Sequence, residues 1–133
     1  MIETGMKHTS ELTVSEAKCT LSRPSVPAAV TAIQMGSGDL PVLATPAILA
    51  LMENASMLAV SNELSDGQTT VGGYIESSHL SPSKIGDIVS ATAEVIKVDG
   101  KKIEFKVSAY SGETLLGEGK HLRFVVDKER FMK

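Results

Sequence analysis

Glu53 sits in a run, Ala47 to Asn62, that contains no Gly or Pro and whose apolar residues cover almost the whole helical circumference. Its neighbours at helical spacing are Leu49, Ala50, Ser56, Met57 and Val60, none of them basic. An unpaired carboxylate among apolar groups is costly and is driven towards its neutral form. Such a group suits general-base work, and when desolvated it is a usable nucleophile. The plainer alternatives are a Glu that reaches solvent and one that pairs with a distant cation such as Arg123.

Thr45 lies eight residues earlier, just before Pro46. A Thr–Pro pair there predicts an N-cap followed by a first helical proline. The functional alternative is a hydroxyl beside a helix N-terminus, whose free N–H groups stabilise an oxyanion. Eight residues of helix span ~12 Å, so Thr45 either folds back from the preceding loop or faces Glu53 across a reactant. His79 is the candidate proton carrier, histidine being the residue type suited to proton transfer at neutral pH. It closes a β-rich stretch, Thr69 to Leu80, that contains Gly72-Gly73. Those glycines mark a bulge, or expose backbone N–H groups to a substrate. His121 and Arg123 share one face of the last predicted strand with Gly117 and Gly119. They read as a salt-linked sheet face, a subunit contact, or a pair that meets phosphates. The bare glycine positions would permit close approach of the helix or of a neighbouring subunit.

Other chemistries have no residues to carry them. The sequence has no Gly-rich phosphate loop, CxxC pair, HExxH helix or G-x-S-x-G elbow, and no metal site is expected. The lone Cys19 reads as a small strand hydrophobe in a reducing compartment. With 13 basic and 16 acidic residues the net charge is −3, which gives no cationic field for nucleic acid or a membrane surface. No stretch is apolar enough to span a bilayer, and residues 1–10 lack the apolar core of a signal peptide. The expectation is a cytoplasmic protein without nucleic-acid or membrane partners.

The elements that must position these groups follow from pattern. The 133 residues suit one domain, 1–133, with 1–10 as a loose tail that includes His8. Leu12 and Val14 alternate with polar residues as a first strand, with a bend near Ser15-Glu16, and a short helix is expected from near Pro27 to Met35. Gly36 to Asp39 is a loop. After the long helix, Ile88 to Val98 is a strand that changes face near Val95-Ile96. Asp99-Gly100 is a hairpin turn, Ile103 to Ala109 alternate cleanly, and Ser111-Gly112-Glu113 turns into a last strand, Leu115 to Val126. Several antiparallel strands and one long apolar helix predict an α+β fold, a curved antiparallel sheet wrapped around that helix. An open sheet edge predicts a homodimer or a dimer of dimers.

Pro41-Val42-Leu43-Ala44-Thr45-Pro46, followed by Leu51-Met52-Glu53-Asn54-Ala55, resembles the fluoroacetyl-CoA thioesterase-like family of the hotdog superfamily. Thr70-Val71-Gly72, His79-Leu80-Ser81-Pro82 and His121-Leu122-Arg123-Phe124-Val125-Val126-Asp127 agree with it. The resemblance implies a hotdog fold, catalytic Thr45, Glu53 and His79, and a site glycine at Gly72; Gly73, through its backbone N–H, and Arg123, through CoA phosphates, are the further substrate contacts that the residues themselves suggest. It implies hydrolysis of an acyl-CoA thioester, with coenzyme A as part of the substrate and no separate cofactor. The loop 36–41 has no aromatic residue to gate a small acyl group, so the fluoroacetyl preference does not carry over. A pocket lined by Leu49, Met57 and Val60 favours short or medium acyl chains. The alternatives are a hotdog hydratase or dehydratase, which pairs Asp with His in a short motif missing around His79, and a non-catalytic acyl-CoA-binding module.

Overall fold

The computed structural model describes residues 1–15 and 30–133. Cys19, the bend beyond Ser15 and the start of the helix expected from Pro27 lie outside them. The elements run β1 (Lys7–Thr13), α1 (Ala32–Met35), α2 (Thr45–Val60), β2 (Gln68–Ser77), β3 (Ile88–Asp99), β4 (Lys102–Ser111), β5 (Thr114–Asp127) and α3 (Lys128–Phe131). The strands form one antiparallel sheet in the order β1-β3-β4-β5-β2, and α2 packs chiefly on β3 and β1. This is the expected α+β arrangement, a curled sheet around one long helix.

Period-2 patterning decides which face meets the helix. Val89, Ala91, Ala93 and Val95 of β3, with Ile103, Phe105, Val107 and Ala109 of β4, are buried against Ile48, Leu51, Met52 and Ala55 of α2. The expected change of face in β3 is a register shift between Val95 and Lys97, which turns Ile96 outwards. Both hairpins form where predicted, and their glycines, Gly100 and Gly112, adopt positive φ of 62° and 60°.

Three expectations change. The first ten residues are not a loose tail. β1 starts at Lys7, His8 pairs with Ala93, Gly5 donates its N–H to the Val95 carbonyl, and Ile2 and Met6 pack on the core. Next, α2 is not buried all round. Ile48, Leu51, Met52, Ala55 and Val60 are inside, whereas Leu49, Ala50, Glu53, Met57 and Leu58 form a half-exposed flank. Finally, Gly117 and Gly119 admit neither the helix nor another subunit but the end of β2. A Cβ on either would collide with a backbone carbonyl, of Ser78 for Gly117 and of Glu76 for Gly119.

That close approach bends β2 along β5 and continues past the strand end. Ser78 and Leu80 donate their N–H groups to the carbonyls of Glu118 and Leu116, so the residue between them, His79, is held on both sides. Replacing Gly119 with Ala is therefore expected to destabilise the protein by about 1–3 kcal/mol through overpacking against backbone. Denaturant unfolding of the variant checks this, and an unchanged midpoint would show that β2 yields at no cost.

Candidate active site

Two clusters form along α2. At its start, Ala44 is the N-cap, Thr45 the first helical residue and Pro46 the second, and the cap has no side-chain hydrogen bond. The predicted capping role for Thr45 is thus wrong, and the reason is a competing partner. The Thr45 Oγ1 lies 2.7 Å from His79 Nδ1, although the two residues are 34 apart in sequence. The loop beyond His79 is tied to the segment before α2 by the Leu43 N–H to Ser83 carbonyl bond and by a Val42–Lys84 bridge. These ties bring His79 over the helix mouth. Its Nε2 is buried without a hydrogen-bond partner, and the ring lines an open hollow of about 190 Å³ with Val42, Leu80, Ser81 and Pro82. The Ala47 and Ile48 N–H groups already bond the Ala44 carbonyl, and Pro46 has none. The expected spray of free helix-end donors reduces to the Thr45 N–H.

Two turns along, Glu53 lies on the half-exposed flank, with its side chain 44% accessible. It is not the unpaired buried acid that its local sequence suggests. Both plainer alternatives hold instead, since the side chain reaches solvent and its Oε2 is 3.7 Å from Arg123 Nη1, a partner 70 residues away. Gly72 explains how the carboxylate fits against β2. A Cβ there would come within 2.8 Å of Glu53 Oε2, so any larger residue would make the carboxylate shift. Thr45 and Glu53 do not touch through a folded-back loop. They stand ~12 Å apart along the helix.

Arg123 is 6% exposed and does not face solvent to meet phosphates as a substrate contact. Its Nε donates to Thr70 Oγ1 at 2.9 Å, its Nη2 to the Thr70 carbonyl at 2.8 Å, and its Nη1 lies 3.3 Å from His121 Nε2. Burial pulls its pKa down and Glu53 opposes this, and a guanidinium stays charged in any case. His121, 1% exposed, is equally unavailable to a phosphate and stacks on Phe105 with ring centroids 6.0 Å apart. Gly73 has a packing role, since a Cβ there would meet the Phe124 ring at 2.5 Å. The β2 register shifts between Gly72 and Tyr74, the bulge its glycines suggested. Sequence reasoning missed Thr70, which anchors Arg123. Nothing local distinguishes it from other strand threonines. Among the described residues no group of His, Cys, Asp and Glu is arranged to hold a metal ion.

A curled antiparallel sheet around one long helix defines a hotdog-fold protein, and this one carries a carboxylate on the helix flank and a Thr–His pair at its mouth. The model of the fluoroacetyl-CoA-specific thioesterase family matches residues 26–129, and this chain belongs to that family. The fluoroacetyl-CoA thioesterase of Streptantibioticus cattleyicolor is 34% identical over 90 residues, which are 68% of this chain and 65% of that protein, just under two thirds of its length. The crystal structure of a phenylalanine-to-alanine mutant of the fluoroacetyl-CoA-specific thioesterase, in complex with fluoroacetate and CoA, is similar with a TM-score of 0.82. The identity is 26%, and the match covers 98% of this chain and 99% of that one. A Thermus thermophilus hypothetical protein, a thioesterase superfamily member, shares the fold with a TM-score of 0.80 at 22% identity, over 99% of this chain and 89% of that one.

The electrostatics of this site bear on stability. Burial is the main cause that holds the His121 pKa below its ordinary 6.5, with the Arg123 charge adding to it against the Tyr74 carbonyl and Glu53. The unfolded chain therefore takes up this proton at a higher pH than the folded one. Stability is full above about pH 6.5 and falls as the pH drops below it. Thermal unfolding of the wild type between roughly pH 7.5 and 5 should fall more steeply than that of His121→Phe, whereas parallel curves would contradict it.

Proposed function

We propose that this chain hydrolyses short- or medium-chain acyl-CoA thioesters to the acid and free CoA, with Thr45, Glu53 and His79 as its reacting set. The observation that carries this reading is the 2.7 Å bond between Thr45 Oγ1 and His79 Nδ1 at the helix mouth, in a chain of this family. The thioester carbonyl lies between the Thr45 end of α2 and the Gly72 backbone, where N–H groups meet the developing oxyanion. Glu53 either deprotonates an attacking water or attacks the carbonyl carbon itself. In the first route hydroxide adds to the carbonyl carbon, and the C–S bond breaks as the tetrahedral oxyanion collapses and the thiolate leaves. In the second an anhydride forms, the thiolate leaves, and water then cleaves the anhydride. His79 manages the protons, Thr45 positions the group under attack, and the thiolate leaves. The hydratase reading is disfavoured because His79 meets a threonine rather than an aspartate.

The relative named above acts on fluoroacetyl-CoA. The small acyl group is retained here, and the fluoroacetyl preference is not, because the loop 36–41 has no aromatic gate. Leu49 and Met57 flank Glu53 on the half-exposed face. Val60, expected beside them, is fully buried in the core and cannot line a pocket. The same flank and the exposed residues Gly72, Gly73 and Tyr74 of edge strand β2 support a homodimer joined through β2, alone or as half of a tetramer. The cytoplasm remains the expected compartment, with no further cofactor.

Three measurements check this reading. Purified protein should release free CoA from acyl-CoA, and Glu53→Gln should lower kcat by ~10²–10⁴ while leaving the fold intact. A few-fold effect would make Glu53 structural. Across acetyl-, butyryl-, octanoyl- and palmitoyl-CoA, kcat/KM should peak before palmitoyl, because an open tunnel would add ~0.8 kcal/mol per methylene without reversal. An optimum at palmitoyl would sink the short-chain reading. Light scattering at micromolar concentration should give twice or four times the chain mass, and a monomer would refute the β2 pairing.

A further inference from the structure

His121 has no part in the chemistry just described, yet it is among the most deeply buried polar side chains of the protein. The alternation of β5 places it on the inner face between Gly119 and Arg123, under the Phe105 ring. A buried imidazole must satisfy both nitrogens, and here the partners fix which one holds the proton. Nδ1 is 2.8 Å from the Tyr74 carbonyl, which can only accept, so Nδ1 carries the hydrogen. The carbonyl is presented by the β2 bulge, where the register slips between Gly72 and Tyr74. In the neutral ring Nε2 is then an acceptor. The donor facing it, at 3.3 Å, is Arg123 Nη1, the same nitrogen that lies 3.7 Å from Glu53 Oε2. An imidazolium would lose that acceptor and set two cations side by side.

The consequence is a particular geometry for the acid. At 3.7 Å the guanidinium supplies charge to Glu53 without a hydrogen bond of ordinary length, so the lone pairs of the carboxylate stay available to a substrate or a water. Thr70 fixes the far edge of the guanidinium through Nε and Nη2, and His121 engages the near edge. We propose that His121 is a positioning residue, a neutral Nδ1–H imidazole whose Nε2 holds Arg123 Nη1 back from Glu53 and so keeps that carboxylate free to react. This rests on the reading of Glu53 as the reacting acid.

The test combines a kinetic cycle with a direct view of the ring. His121→Phe keeps the shape and removes both hydrogen bonds, while His121→Gln keeps an acceptor within reach of Nη1. In acyl-CoA hydrolysis His121→Phe is expected to lose about ten- to a hundredfold in kcat with KM little changed, the scale of a misplaced reacting group. His121→Gln should recover most of it. In a Glu53→Gln background His121→Phe should cost nothing further, because the group it positions is gone. Equal losses in both backgrounds, equal impairment of the two His121 variants, or wild-type kcat in His121→Phe would each overturn the proposal while a damaged Glu53→Gln left the acid in place. Full activity of Glu53→Gln would instead remove the reading on which the proposal stands, and the proposal with it. Nitrogen-15 NMR of the imidazole in the wild-type protein decides the tautomer whether or not the variants fold. A proton on Nδ1 and a bare Nε2 at neutral pH are expected, and a protonated Nε2 would refute it.

Discussion

A guanidinium buried at the inner face of β5 is the constraint around which the candidate site of this molecule is arranged. A cation taken out of water is tolerated only with opposite charge and filled hydrogen bonds. Arg123 finds these in Thr70, His121 and Glu53. Each partner comes from a different place: Thr70 from β2, His121 two residues back on β5, Glu53 from the flank of α2. The pairing therefore ties the helix to the β2 side of the sheet, away from β1 and β3 where its apolar face packs. Removing one partner would leave charge buried without compensation, so the cluster fixes the position of the carboxylate.

The glycines are the second half of the same construction. Gly72 leaves room for the Glu53 carboxylate against β2, and Gly117 and Gly119 let the end of β2 lie against β5. The bend that results presents the Tyr74 carbonyl to His121 and holds His79 between two β5-bonded residues, beside Thr45. Backbone curvature thus delivers both clusters, one at the helix mouth and one two turns along. A hydroxyl–imidazole pair at one end and a carboxylate at the other suit a reactant that lies along the helix between them.

Much of this was legible in the sequence where the signal is local. The alternation of Ile103 to Ala109, the Asp99-Gly100 turn and the change of face at Val95-Ile96 each report a backbone event within a few residues, and each appears where predicted. The composition of α2 announced a long helix, but not that its Leu49–Met57 flank stays half-exposed, because apolar content does not say what covers it. The site was legible as residue types and not as partnerships. Thr45 reads as an N-cap because Thr–Pro at a helix start usually is one. Its true partner, His79, is brought in by the path of β2. Glu53 reads as unpaired from its helical neighbours, which reach no further than Val60, and its cation, 70 positions distant, enters only as one plainer alternative. Arg123 reads as a salt-linked face, a subunit contact or a phosphate contact, because strand alternation gives a face and not its burial. Each error comes from contacts that the curvature of the sheet creates.

If Arg123 is the anchor of the reacting carboxylate, its fork matters more than its charge. Arg123→Lys retains a cation but cannot bond the Thr70 hydroxyl, the Thr70 carbonyl and His121 together. The decisive measurement is kcat for CoA release by this variant, with thermal unfolding to verify that it folds. At least about a tenfold fall in kcat with a folded protein is predicted, the scale expected when a reacting group is misplaced. A folded Arg123→Lys protein with wild-type kcat would contradict the account.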